Sequence, residues 1–237
     1  KYLLFLENAF PYMDNYNYYK GMNGIIQELT GLLKTKNIGT DSDRALLLDF
    51  QATLETKPEK AIKLEKDALA QIENITADNA RLVSNLHANL GGLYRMNGHP
   101  DLAREHMEKS ISLLDQFNLL HINDSIPQIA NYAMFLTEQQ EPERGISELQ
   151  KLSGIIKEYH SDDCLDYAKV QENLGTIYLM TANLPQAKTH FKKAFKIYEK
   201  IWADEPEMIE AKYQEIQELY PQIGFCIGKN LSGLLTK

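Results

Sequence analysis

Six histidines and two cysteines are the residues of richest chemistry in this 237-residue chain. His87, His99, His106, His121, His160 and His190 include no H-E-x-x-H pair. Neither Cys164 nor Cys226 stands at metal-ligand spacing from a second ligand. His106 and His190 are 84 residues apart and read as residues of a repeating surface, too distant to share a metal. Cys164 follows Ser161-Asp162-Asp163 near an expected helix start, where the helix dipole can lower a thiol pKa. Without a partner histidine it reads as structural. No glycine-rich phosphate loop occurs, and Gly91-Gly92, inside a helical pattern, reads as close packing. No catalytic residue, metal ligand or cofactor is therefore expected.

Asparagine carries a stronger pattern. Asn89, Asn131 and Asn173 recur at intervals of 42 residues. A carboxamide offers two donors and an acceptor, so it can pair with the N–H and C=O of an extended peptide whatever the peptide's side chains. Helical spacing of three and four residues adds neighbours on the same face. Asn85 and Lys169 stand four residues before a ladder position, and Met134 and Thr176 three after. Glu172 immediately precedes Asn173, Arg95 lies six residues beyond Asn89, and Met180 seven beyond Asn173. These ten residues are the candidate peptide-binding set. A packing role, with each amide bonded to a neighbouring helix, stays open beside it, because asparagine is a mediocre helix former that needs some reason to recur.

The elements that must position this ladder follow from two further landmarks. Small residues recur at Ala9, Gly91, Ala133 and Gly175, with Asp49 the exception in the series. A second series runs Gly21, Ala61, Ala103, Gly145 and Ala187. Both series have intervals of 40, 42, 42 and 42. Small residues allow two helix backbones to approach, and apolar residues at helical spacing flank each landmark. The reading is all-α: five helical hairpins over about 2–35, 41–75, 80–119, 125–159 and 168–201, with a C-terminal cap over about 206–237. The cap has an expected helix centre at 217, with Tyr213, Ile216 and Tyr220 on its apolar face. Pro58 is expected to open a helix, and Asn97-Gly98-His99-Pro100 and Glu141-Pro142 to form turns. The aromatic segment Asn15–Tyr19 reads as a turn with terminal packing.

Composition excludes several classes. Lys+Arg 25 against Asp+Glu 33 leaves a net charge of −8, the wrong sign for a nucleic-acid surface. No apolar run approaches the ~18–20 residues of a membrane span. Two cysteines imply no disulfide framework and fit a reducing, cytoplasmic compartment. The chain opens on Lys1 rather than Met, which reads as a fragment of a longer protein.

Ala168–Ile201 resembles a tetratricopeptide repeat. Leu174-Gly175, Tyr178, Ala187, Phe191 and Ala194 stand where that family places Leu-Gly, Tyr, Ala, an aromatic and Ala. The period of 42, against ~34 for the commonest form, is similar to that of kinesin light chains and of bacterial regulators with such arrays. Residues Ala203-Asp204-Glu205-Pro206-Glu207-Met208 look like their acidic connector. The resemblance implies a right-handed α-solenoid forming a single array over 1–237, with the first helix of each hairpin on the inner face. It implies a protein- or peptide-binding scaffold without catalysis, of the kind in which asparagine ladders hold peptides. A carboxylate clamp needs several inner cations, and only Lys169 and Arg95 qualify, in different repeats. A methionine-containing groove for a mixed segment fits better. The alternatives are a ligand-sensing array in a larger signalling or transcription regulator, and self-association through Leu3–Leu6 or Ile223–Ile227.

Overall fold

Proline at the first position of a helix removes an N–H that has no partner there. Pro58, Pro100 and Pro142, spaced by one period, each begin the second helix of a hairpin, and Pro185 is the second residue of the corresponding helix one repeat later. A computed structural model describes residues 19–36, 39–122 and 125–219 of the chain. Among the described residues there are ten helices and no strand: α1 Tyr19–Lys36, α2 Asp41–Leu54, α3 Pro58–Leu69, α4 Ala80–Met96, α5 Pro100–Gln116, α6 Ser125–Glu138, α7 Pro142–Tyr159, α8 Leu165–Met180, α9 Leu184–Ile201 and α10 Pro206–Leu219. The fold is all-α and built of hairpins, as the period predicts. The expected first helix around Ala9, residues 15–18 of the aromatic segment, both proposed self-association stretches and Cys226 lie outside the described residues.

The chain divides into two compact units, Lys1–Leu119 and Leu120–Lys237. In the first, α2 pairs with α3 and α4 with α5, while α2 also touches α4. In the second, α6 pairs with α7 and α8 with α9; α6 touches α8, and α10 packs on α9. First helices therefore lie beside first helices within each unit. Ile26, Leu47 and Phe50 anchor one core cluster of the first unit. Leu149, Leu174, Phe191 and Phe195 are among the buried side chains of the second.

The small landmarks are where paired helices cross. A Cβ on Gly91 would lie 2.6 Å from Met107 Cγ and 3.3 Å from the Ala103 carbonyl oxygen. One on Gly145 would meet the Ala133 carbonyl oxygen at 2.5 Å, and one on Gly175 the Phe191 ring at 2.9 Å. Each of these crossings joins one glycine to one alanine or a flanking ring. Gly92 differs from the expectation: a Cβ there would touch nothing within 4 Å, so it plays no part in the crossing.

The turn inside each hairpin repeats with the same period. Gly98, Gln140 and Ala182, 42 residues apart, all have positive φ, of 73°, 65° and 59°. The following residue's N–H reaches back to close the helix end: His99 to the Tyr94 oxygen at 2.9 Å, Glu141 to Leu136 at 2.8 Å, Asn183 to Tyr178 at 2.7 Å. Only the first copy uses glycine, the residue that adopts this conformation without a Cβ penalty.

His106 and His190 are not surface residues of a repeat; each is half-buried at the seam of its hairpin. His87 Nδ1 and His106 Nδ1 are 2.9 Å apart, so one ring donates and the other accepts, and Tyr94 stacks on His106. Two repeats on, His190 Nδ1 donates to Gln171 Oε1 at 2.9 Å and Tyr178 stacks on His190. Burial lowers the His87 pKa from 6.5 to about 4, aided by the neighbouring His106 and Lys109 charges. Burial, then Lys193, lowers His190 to about 4. His106 is also lowered, burial outweighing the attraction of Glu105.

Two outcomes follow. Ala182→Gly should stabilise the chain by about 1 kcal/mol and Gly98→Ala destabilise it by a similar amount, read by urea denaturation. The lowered histidine pKa values mean that the unfolded chain binds protons the folded chain does not. The histidines' contribution to stability should therefore be full above pH 6.5 and be lost as pH drops from 6.5 towards 4. Melting temperatures across that range check it, and the double variant His87→Gln with His190→Gln should flatten the dependence.

Candidate functional site

In the second unit α6, α8 and α10 enclose a groove of about 520 Å³. Helix α6 contributes Ile126, Pro127, Ala130, Asn131 and Met134; α8 contributes Asp166, Lys169, Glu172 and Asn173; α10 contributes Lys212. Five of the ten predicted residues thus meet in one place: Asn131, Met134, Lys169, Glu172 and Asn173. The reason is helical geometry. Residues 166, 169, 172 and 173 lie on one face of α8, and 127, 130, 131 and 134 on one face of α6. The side chain of neither Asn131 nor Asn173 makes a hydrogen bond among the described residues, so both amides are open to the groove.

The far wall is held by charge. Lys212 Nζ lies 3.0 Å from Glu172 Oε1 and 3.0 Å from Glu215 Oε2, and Tyr198 Oη donates to Glu172 Oε2 at 2.6 Å. Burial disfavours the Lys212 charge, but the two carboxylates more than offset it and its pKa is raised above the usual lysine value. Burial and the Glu172 charge likewise raise the Tyr198 phenol, which stays a donor. A smaller pocket of about 260 Å³ adjoins the groove, sharing Lys169 and Lys212 and lined by Leu165, Tyr198, Trp202 and Met208. Lys212 and Asp166 escaped the sequence reading. A usable signal existed: one period beyond Asn173 stands Glu215, and Lys212 is one helical turn before it.

The other predicted residues are elsewhere. Thr176 is buried within α8 and does not line the groove, and Met180 is exposed at the end of that helix. Asn85, Asn89 and Arg95 lie on α4 in the first unit. Asn89 is committed to packing: its Nδ2 donates to Asp49 Oδ1 at 2.8 Å. Glu65 completes this cluster and is only 2% exposed, with Oε2 lacking a partner. Burial first, then the Asp49 charge, pushes the Glu65 pKa from 4.5 up to about 10, so it is a neutral acid bonded to the Asp49 carboxylate. Burial raises Asp49 too, against the bonds from Glu65 and Asn89. Asp49, the exception in the small-residue series, is thus explained: its hairpin exchanges a close crossing for a carboxyl pair. The first unit also has a cavity of about 570 Å³ beside Leu33, Leu47 and Leu48, which gathers none of the predicted residues. Cys164 precedes α8, and its thiol donates to the Ser161 carbonyl at 3.2 Å.

Residues 125–200, the span of α6 to α9, match the tetratricopeptide repeat family model. Over that span the chain carries tetratricopeptide repeats. No curated protein matches it. Similar solved structures include BtubC (BKLC) from P. vanneervenii, 19% identical over 77% of this chain and 72% of that one, TM-score 0.63. A Podosopora anserina structure, described as nearly identical kinesin light chain TPR-like repeats, is 14% identical over 86% of this chain and 99% of that one, TM-score 0.62. MamA is 15% identical over 75% of this chain and 89% of that one, TM-score 0.52. At these identities the likeness is one of fold; tetratricopeptide repeats such as those matched over 125–200 are in general protein-interaction scaffolds. No described helix is long and apolar enough to cross a membrane.

The Glu65 cluster generates its own test. The folded chain keeps a proton that the unfolded chain releases above about pH 4.5, so stability should fall as pH rises from 4.5 towards 10. Glu65→Gln, which keeps the shape and a donor, should leave stability at pH 4.5 nearly unchanged, raise it by about 2 kcal/mol at pH 8, and flatten the slope in denaturant titrations.

Proposed function

We propose that the groove of α6, α8 and α10 binds an extended peptide segment of a partner protein, with Asn131 and Asn173 pairing with its backbone. The observation that carries this reading is the contrast between the three ladder residues. Asn89 is tied to Asp49, whereas the amides of Asn131 and Asn173 face the groove with no bond among the described residues. An asparagine serving helix packing would be bonded as Asn89 is. Polar amides beside the apolar Ile126, Ala130 and Met134 suit a ligand that brings both backbone polarity and apolar side chains. The Glu172–Lys212–Glu215 network keeps the wall in place before any ligand arrives, which lowers the ordering cost of binding.

The protein acts on this reading as a binding scaffold, with no reaction of its own and no cofactor. The low cysteine count fits a cytoplasmic setting.

The paired substitution Asn131→Ala and Asn173→Ala should weaken peptide binding at least about tenfold, the loss of two or more hydrogen bonds of roughly 1 kcal/mol each. The melting temperature should stay unchanged, because neither amide has a protein bond to lose. Asn89→Ala should lower the melting temperature instead. Fluorescence polarisation with peptides selected from a capped-peptide array measures the first, and thermal denaturation the second. Unchanged affinity in the double variant would refute backbone capture.

A further inference from the structure

The charges around the groove are not all matched. Lys212 is closed off by Glu172 and Glu215. Lys169 and Asp166, which also line the groove, make no ion pair or hydrogen bond with each other or with any other group among the described residues. They stand one helical turn apart on the same face of α8, a spacing at which an acid and a base commonly pair. Here the two project separately, leaving a negative and a positive site side by side. Lys169 is exposed and also borders the smaller pocket of Leu165, Tyr198, Trp202 and Met208.

We infer that the groove selects an extended peptide segment that carries one acidic and one basic side chain on the same edge, two residues apart, the acid on Lys169 and the base on Asp166. The inference rests on the reading of the groove as a peptide site. Alternate side chains of an extended chain share an edge at about 6.6–6.8 Å. Asp166 and Lys169 are separated by about 4.5 Å along the helix axis, a difference that long flexible side chains take up. With the acid on Lys169, the next side chain on the ligand's other edge is not constrained by charge, and an apolar neighbour of the acid can enter the Tyr198–Trp202 pocket. Asp166 and the charge-balanced Lys212 make a strongly acidic ligand a poor match, and Lys169 makes a strongly basic one so. The selected segment has both signs.

The test uses acetylated, amidated heptapeptides on an array, so that no free terminus contributes charge. Positions three and five hold Glu and Lys in either order, or Gln at one or both; the remaining positions are randomised over Ala, Leu, Met and Phe. The whole chain is the probe, and selected members are measured by fluorescence polarisation. Members with both charges should bind about fivefold tighter than the Gln–Gln members, as two exposed ion pairs allow. Lys169→Met should remove only the gain from Glu, and Asp166→Asn only the gain from Lys, with melting temperatures unchanged. Equal binding by the Gln–Gln members would overturn the inference while leaving backbone capture intact. A gain from Glu alone, insensitive to Asp166→Asn, would also overturn it. If no array member binds, both the inference and the peptide reading fall.

Discussion

The close crossing of two helices at a glycine–alanine contact is the constraint on which the rest depends. At Gly145 the backbone of the partner helix is so near that a Cβ would stand 2.5 Å from the Ala133 carbonyl. That proximity fixes the rotation of each helix about its axis, because only one face carries the small residue. Once rotation is fixed, residues three and four positions away on the first helix have a determined direction. Asn131 and Asn173 sit two residues before Ala133 and Gly175, so the same contact that builds the hairpins turns both amides to the groove.

The hairpin that breaks this constraint behaves differently. Asp49 occupies the small-residue position, and the chain answers with a protonated Glu65 and a bonded Asn89 rather than a close approach. A buried carboxyl pair is expensive unless one member is neutral. The second unit treats its charges in the opposite way: Glu172 and Glu215 flank Lys212 and hold its ammonium in the charged form. One cluster makes a packing device that is sensitive to base; the other makes a wall around an open site.

The histidines illustrate how repetition carries detail as well as fold. His106 and His190 occupy one repeat position and stack on Tyr94 and Tyr178, which also correspond. Their partners, His87 and Gln171, are different residues in the same place doing the same thing, accepting or donating at 2.9 Å. Across the intervening repeat the corresponding positions hold Ile129, Leu136 and Glu148, and no such pair forms.

By itself the sequence determined the period, the all-α class and the turn sites of the described hairpins. These depend on local spacing: small residues, helical apolar faces and prolines at helix starts. It also held the α6 and α8 walls of the groove, because residues one turn apart on a helix need no tertiary information to be neighbours. Only the tertiary structure decided which rungs of the asparagine ladder were open. Asn89, Asn131 and Asn173 are identical in type and register, and what separates them is Asp49, a residue 40 positions from Asn89 whose contact no helical spacing predicts. Lys212 reached the groove in the same way, through the packing of a later helix and the pull of Glu172. Thr176 was lost from it because the packing of α8 buries its side chain. Long-range partners decide which polar groups are satisfied, and those partners are brought together only by the fold.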